Sequence, residues 1–163
     1  MTQNTAPITQ IMGIMNATPD SFSNDGINGN IELALQQAQQ FIKDGANILD
    51  IGGESTRPGA DFVHIDAEIQ RVVPIIEAIH AKYPDIAISI DTYKGAVAQA
   101  ALDAGATIIN DVWGGKMDPF ILDVASRYNV PICLMHNKTK PKDTDMHVKL
   151  GGSYKAPEYT LYA

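Results

Sequence analysis

A single cysteine, Cys133, in 163 residues excludes an internal disulfide, and its place in an apolar run gives no sign of an oxidising compartment. A reducing cytoplasm is the expected setting. Positive charge is also short: 12 Lys+Arg against 19 Asp+Glu leave a formal charge of −7, the wrong sign for holding a nucleic-acid backbone. No apolar run approaches the ~20 residues needed to cross a bilayer. The first seven residues, Met1 to Pro7, hold neither a basic residue nor a signal-like apolar stretch. Membrane and nucleic acid are thus both excluded as expected partners, which leaves small molecules. Four common signatures are absent: Gly-x-Gly-x-x-Gly, Gly-x-x-x-x-Gly-Lys-Ser/Thr, Gly-x-Ser-x-Gly and His-Glu-x-x-His. Dinucleotide, P-loop, serine-hydrolase and zincin readings fall with them. Cys133 and His136 are three apart, so a strand sends them to opposite faces, and no second pair completes a zinc site. His64, His80 and His147 are expected at the surface.

What is present is apolar content of 45% in a length that suits one domain with a sizeable core. Apolar periods of two and of 3.6 alternate along the chain, the pattern of βα units. Five strands are predicted at residues 11–15, 48–51, 86–90, 107–109 and 132–135. Between them, Ile31, Ala34, Leu35, Ala38, Phe41 and Ile42 share one helical face, and Gly45 ends that helix. A second helix carries Ile65, Ile69, Val72, Val73, Ile76 and Ile79, with Pro74 expected to kink or divide it. A third turns Val97, Ala100, Ala101 and Ala104 inward, and a fourth, opened by Asp118-Pro119, carries Ile121, Val124, Ala125 and Tyr128. Gly45 to Asp50 echoes Gly105 to Asn110 at two helix-to-strand junctions, as repeated units would.

Such units build either a doubly wound sheet or a (β/α)8 barrel, and barrel enzymes collect polar residues at strand C-termini. Asn16, Asp50, Asp91, Asn110 with Asp111, and His136 each fall at or near the end of an apolar strand. Any one of them could instead cap the following turn. The loop Gly52-Gly53-Glu54-Ser55-Thr56-Arg57-Pro58-Gly59 adds backbone N–H groups, hydroxyls and a guanidinium, donors suited to an anion. After residue 137 the periodicity fails, so residues 1–137 are assigned to the barrel-type domain and 138–163 to an irregular tail.

Five segments, in order, resemble the dihydropteroate synthase family of pterin-binding barrels. They are Met12 to Gly26, with Thr18-Pro19-Asp20-Ser21-Phe22-Ser23; Asp50 to Gly59; Ser89-Ile90-Asp91-Thr92-Tyr93-Lys94; Ile109 to Gly114; and Leu134-Met135-His136-Asn137. The resemblance implies a TIM-type (β/α)8 barrel and a transferase of folate biosynthesis. That transferase joins 6-hydroxymethyl-7,8-dihydropterin diphosphate to para-aminobenzoate, assisted by Mg²⁺, with release of diphosphate. It further implies that Asn16 holds the Mg²⁺–diphosphate and that Asp91 and Asn110 bind the pterin edge. Met135 would line the pterin pocket, and Thr56 and Arg57 would face the para-aminobenzoate carboxylate or the diphosphate. Asp20, Ser21 and Phe22 would belong to a lid. Full-length members are expected to be homodimers.

A (β/α)8 barrel takes ~250 residues, and only about five βα units are legible here. The family's later motifs, a strand-six Asp-Pro-Gly, a strand-seven Lys and a final Arg-x-His, have no counterpart in the sequence. Two alternatives to the complete enzyme therefore stand: a non-catalytic pterin-binding fragment, or a pterin-binding methyltransferase domain.

Overall fold

The computed structural model describes residues 9–18, 30–55 and 62–136. Strands and helices alternate in the order β1 (Met12–Asn16), α1 (Ile31–Lys43), β2 (Ile48–Gly52), α2 (Ile65–Lys82), β3 (Ala87–Asp91), α3 (Gly95–Asp103), β4 (Ile108–Asp111), α4 (Phe120–Tyr128) and β5 (Ile132–Leu134). The five strands form one parallel sheet in sequential order, β1-β2-β3-β4-β5. Consecutive parallel strands joined by right-handed crossovers place every helix on the same side. That is the arrangement of a (β/α)8 barrel; a doubly wound sheet reverses its strand order partway. The described residues hold five strands and four helices of it.

One face of the sheet is covered by the helices and the other is not. Met15, Leu49, Ile51, Ile88, Ile90 and Ile109 have no exposed surface and share a core with Ala34 and Ala38 of α1, Val72, Ile76 and Ile79 of α2, Ala98 and Ala101 of α3, and Ile121 and Val124 of α4. On the helix-free face of β1, Met12 is 37% and Ile14 62% exposed. Period two along each strand thus separates a helix side that is apolar except for Asp111 at the end of β4 from a mixed opposite side, the division that positions the site.

The helix ends follow from local chemistry. Gly45 and Gly105 take positive φ of 98° and 115°, letting Ala46 N–H reach Phe41 O and Ala106 N–H reach Ala101 O before the chain enters β2 and β4. The repeated Gly-Ala of the sequence is therefore a repeated helix stop. Asn129, at φ 53°, does the same after α4. Asn30 Oδ1 accepts the Leu33 N–H to open α1. Asp118 serves two helices: Oδ1 accepts from Phe120 N, and Oδ2 from Gly95 N at 2.7 Å.

Two expectations change. Pro74 does not divide α2, which runs unbroken from Ile65 to Lys82. Its ring and the carbonyl it frees lie on the exposed face, where water can replace the lost bond. Strands β1, β3 and β4 begin and end later than their apolar runs and take in Asn16, Asp91, Asn110 and Asp111, because the backbone ladder does not discriminate by side-chain polarity.

Gly95 is needed for close approach between α3 and α4. A Cβ there would stand 2.6 Å from Phe120 Cδ1 and 3.0 Å from the Ile121 nitrogen, so backbone must move. Gly95→Ala is expected to destabilise the fold by ~1–3 kcal/mol, overpacking outweighing the gain in helix propensity. Urea unfolding checks it, and an unchanged midpoint would contradict the contact.

Candidate functional site

Strand register builds the site. Asn16 pairs with Gly52, Gly52 with Asp91, Asp91 with Asn110, and Asn110 with Cys133, a single row across all five strands. In-register residues of parallel strands share a face, and this row lies on the helix-free side at the strand C-terminal ends. One row deeper on the same face come Ile14, Asp50, Ser89 and Ile108. Asn16, Asp91 and Asn110 are thus brought together, with Asp91 and Asn110 adjacent and Asn16 two strand spacings, ~10 Å, from Asp91.

Gly52 keeps that interval open. A Cβ at this position would lie 3.4 Å from Asp91 Oδ2, so any larger side chain would fill the space between Asn16 and the carboxylate. Asp50 Oδ2 accepts from Asn110 Nδ2 at 3.0 Å. This bond passes over Ser89 of β3, joining β2 to β4, and so requires the sheet to curl toward its helix-free face.

The electrostatics are strained. Burial, followed by the charges of Asp50, Glu68, Asp111 and Glu54, pushes Asp91 up to about 7. Burial also raises Asp50, tempered by the Ser89 hydroxyl and the Asn110 amide. One oxygen of each carboxylate, Asp50 Oδ1 and Asp91 Oδ1, is buried with no hydrogen-bond partner. Acceptors left open beside an uncovered face are suited to a planar ligand edge rich in N–H groups.

The remaining expected residues are placed differently. Asp111 does not join Asn110 in the site. It points to the helix side, fully buried, where its oxygens accept from Trp113 N at 2.8 Å and Gly115 N at 2.6 Å, capping the turn after β4. Asp50 stands one row below the strand end, and Gly52 is the last residue of β2. Met135 lies just past β5, 45% exposed, with its N–H on Asp111 O. His64, His80 and His136 are exposed, as is Cys133. Thr56, Arg57, Asp20, Ser21 and Phe22, with His147 and the tail from 138, lie outside the described residues.

The sequence reading missed a buried charge cluster beside the row. Lys94, with no exposed surface, donates to Glu54 Oε2 at 2.8 Å, Val63 O at 2.6 Å and Glu68 Oε2 at 2.5 Å. Its Nζ also sits over the Phe62 and Tyr93 rings. Thr92 Oγ1 donates to Glu68 Oε1, and Glu54 Oε1 accepts from Val63 N. The cluster ties the ends of β2 and β3 to α2 and fixes both flanks of the segment 55–62. Glu68 was legible in principle, since it falls on the apolar stripe of α2 with Ile65, Val72 and Ile76. No group of three or more His, Cys, Asp or Glu side chains among the described residues is arranged to hold a metal, and no helix there is long and apolar enough to cross a membrane.

Residues 12–155 match the family described as pterin binding enzyme, and the chain belongs to that family. The match extends past the expected domain boundary at residue 137. Relatives within the family include dihydropteroate synthases. It is 55% identical over 130 residues to that of Clostridium beijerinckii, covering 80% of this chain and 48% of the relative. A Yersinia pestis dihydropteroate synthase crystallised with a sulfonamide drug superposes with a TM-score of 0.74 at 46% identity, over 82% of this chain and 47% of that one. The Burkholderia cenocepacia enzyme complexed with 7,8-dihydropteroate gives 0.68 at 44% identity, over 82% and 43%. The chain therefore spans about half the length of the relatives it matches.

Proposed function

We propose that this chain carries the first half of a dihydropteroate synthase site, the enzyme that condenses 6-hydroxymethyl-7,8-dihydropterin diphosphate with para-aminobenzoate and releases diphosphate. The observation that carries the reading is the row Asn16, Gly52, Asp91, Asn110, with two buried carboxylate oxygens left without partners. Asp91 accepts from N–H groups of the pterin and Asn110 pairs with its edge, while Met135 closes the end of the pocket. Ligand N–H groups at Asp91 would offset the desolvation that raises its pKa.

Asn16 contributes a neutral oxygen at the open end of the row. That fits Mg²⁺ arriving with the diphosphate, since this hard cation keeps most of its waters and needs one or two protein oxygens. When bound, the ion supplies charge neutralisation of the leaving diphosphate. Thr56 and Arg57 bind the para-aminobenzoate carboxylate or the diphosphate, and Asp20, Ser21 and Phe22 cover the site. Catalysis of this kind rests on charge stabilisation and positioning, and no covalent nucleophile is assigned. The setting is cytoplasmic, in keeping with the exposed thiol of Cys133, and the assembled enzyme is a homodimer.

Diphosphate release from the pterin substrate with para-aminobenzoate and Mg²⁺ tests the reading in two proteins: this chain, and a chimera of its residues 1–136 with the second half of the Clostridium beijerinckii relative. The chain alone should be at least ~10²-fold slower than the chimera, because one missing transition-state donor already costs 10²–10³ in rate. In the chimera, Asp91→Ala should abolish pterin binding where Lys82→Ala does not. Turnover indifferent to Asp91 would refute the site. Pterin binding without turnover in the chimera would favour a binding module instead.

A further inference from the structure

Asp50 has no role in the chemistry above, yet it is only 4% exposed and is the most buried carboxylate on the helix-free face. Packing alone would be better served by an apolar side chain, since a buried carboxylate must find donors or stay unsolvated at a cost. Its surroundings supply few. β1 brings Ile14 beside it, β3 brings Ser89 and, one row up, Asp91, and β4 brings Asn110. Asp91 is the one other titratable group facing it from these strands, and it can only accept when ionised. Besides the Ser89 hydroxyl, the donor that reaches Asp50 is Asn110 Nδ2, at 3.0 Å.

An amide side chain has a donating end and an accepting end, and a carboxylate discriminates between them. Ionised Asp50 can bond Asn110 only with its NH₂ turned inward, which leaves Asn110 Oδ1 facing away from Asp50, in the row that also holds Asp91. We propose that Asp50 is a positioning residue that locks the Asn110 amide in this orientation, so that Asp91 and Asn110 present a continuous acceptor edge to the N–H groups of a reduced pterin. The idea rests on the assignment of Asp91 and Asn110 to the pterin. An asparagine at position 50 would keep the volume but accept either end of the facing amide, and the orientation would no longer be specified.

The test has two arms. In the ligand-free 163-residue chain, the Asn110 side-chain amide resonance should shift with the titration of the Asp50 carboxyl carbon and lose that titration in Asp50→Asn. In the second arm pteroic acid is the probe, read by calorimetry. Asp50→Asn should raise its Kd about tenfold, the loss of roughly one charge-assisted hydrogen bond, while circular dichroism and the urea midpoint show a folded chain. An Asn110 resonance indifferent to Asp50, or an unchanged Kd in the folded variant, would overturn the proposal. If neither the chain nor the chimera with the second half of the relative binds pteroic acid, or if Asp91→Asn binds it normally, the functional reading fails by itself. The amide resonance, which needs no ligand, still decides whether Asp50 orients Asn110.

Discussion

Lys94→Met should destabilise the fold by ~3–5 kcal/mol, the usual loss when one partner of a buried ion pair is removed and the other is left behind. Here two partners are left. Glu54 and Glu68 are 7% and 1% exposed at the side chain, and both bond the same Nζ, which also satisfies the Val63 carbonyl. Burial already raises the pKa of Glu68, and Lys94 is the largest influence opposing it. With a thioether in place of the ammonium, each carboxylate must either take up a proton or remain charged in an apolar enclosure. Arginine would not rescue fully, because its planar fork cannot place three donors as the compact ammonium does. The control is the triple variant Lys94→Met, Glu54→Gln, Glu68→Gln, which removes the whole charge set and should recover much of the loss. Urea unfolding at pH 7 measures all of them, and a single variant within ~1 kcal/mol of wild type would mean that the cluster is not closed to water.

That cluster marks where reading the sequence stops. The helices were legible because their apolar faces repeat at 3.6, and the Gly45-Ala46 and Gly105-Ala106 stops could be named from composition and spacing. The strand-end polar residues Asn16, Asp91 and Asn110 were legible for the same reason: they interrupt apolar runs. The bond from Asp50 to Asn110 spans 60 residues and depends on register and on the curl of the sheet, neither of which any local pattern encodes. Lys94 was quoted within a motif but not as a buried charge. Its partners come from β2, α2 and a connecting segment, and only the tertiary arrangement brings them together. Asp111 took the turn-capping role left open for every strand-end polar residue. Adjacent strand residues alternate faces, so Asn110 and Asp111 could not both serve one site, and parity alone was enough to separate them.

Asp91→Asn should stabilise the ligand-free chain at pH 8, by up to ~4 kcal/mol, while abolishing pterin binding. The sign follows from the direction of the shift. Asp91 rises from 3.8 to about 7 in the fold, so the unfolded chain loses this proton first as pH increases. Its contribution to stability is fully present below pH ~4, declines through the interval up to ~7 and is gone above it. Asp50, Glu68 and Asp111 are also raised, and each drives stability in the same direction. The informative quantity is therefore the difference between variant and wild type at each pH, which cancels the shared carboxylates and should be large at pH 8 and small at pH 4. An amide carries no charge to desolvate and adds N–H donors that Asp50 could use, which is why the variant gains. Under the proposed function, the stability that Asp91 costs is the counterpart of an ionisable acceptor placed at the open row for an N–H-rich ligand. Urea midpoints across pH 4–8, paired with pteroic acid calorimetry at pH 8, measure both halves of the exchange. A variant no more stable than wild type at pH 8, or one whose advantage does not change with pH, would show that Asp91 is already solvated in the free chain and stores no strain for the ligand to relieve.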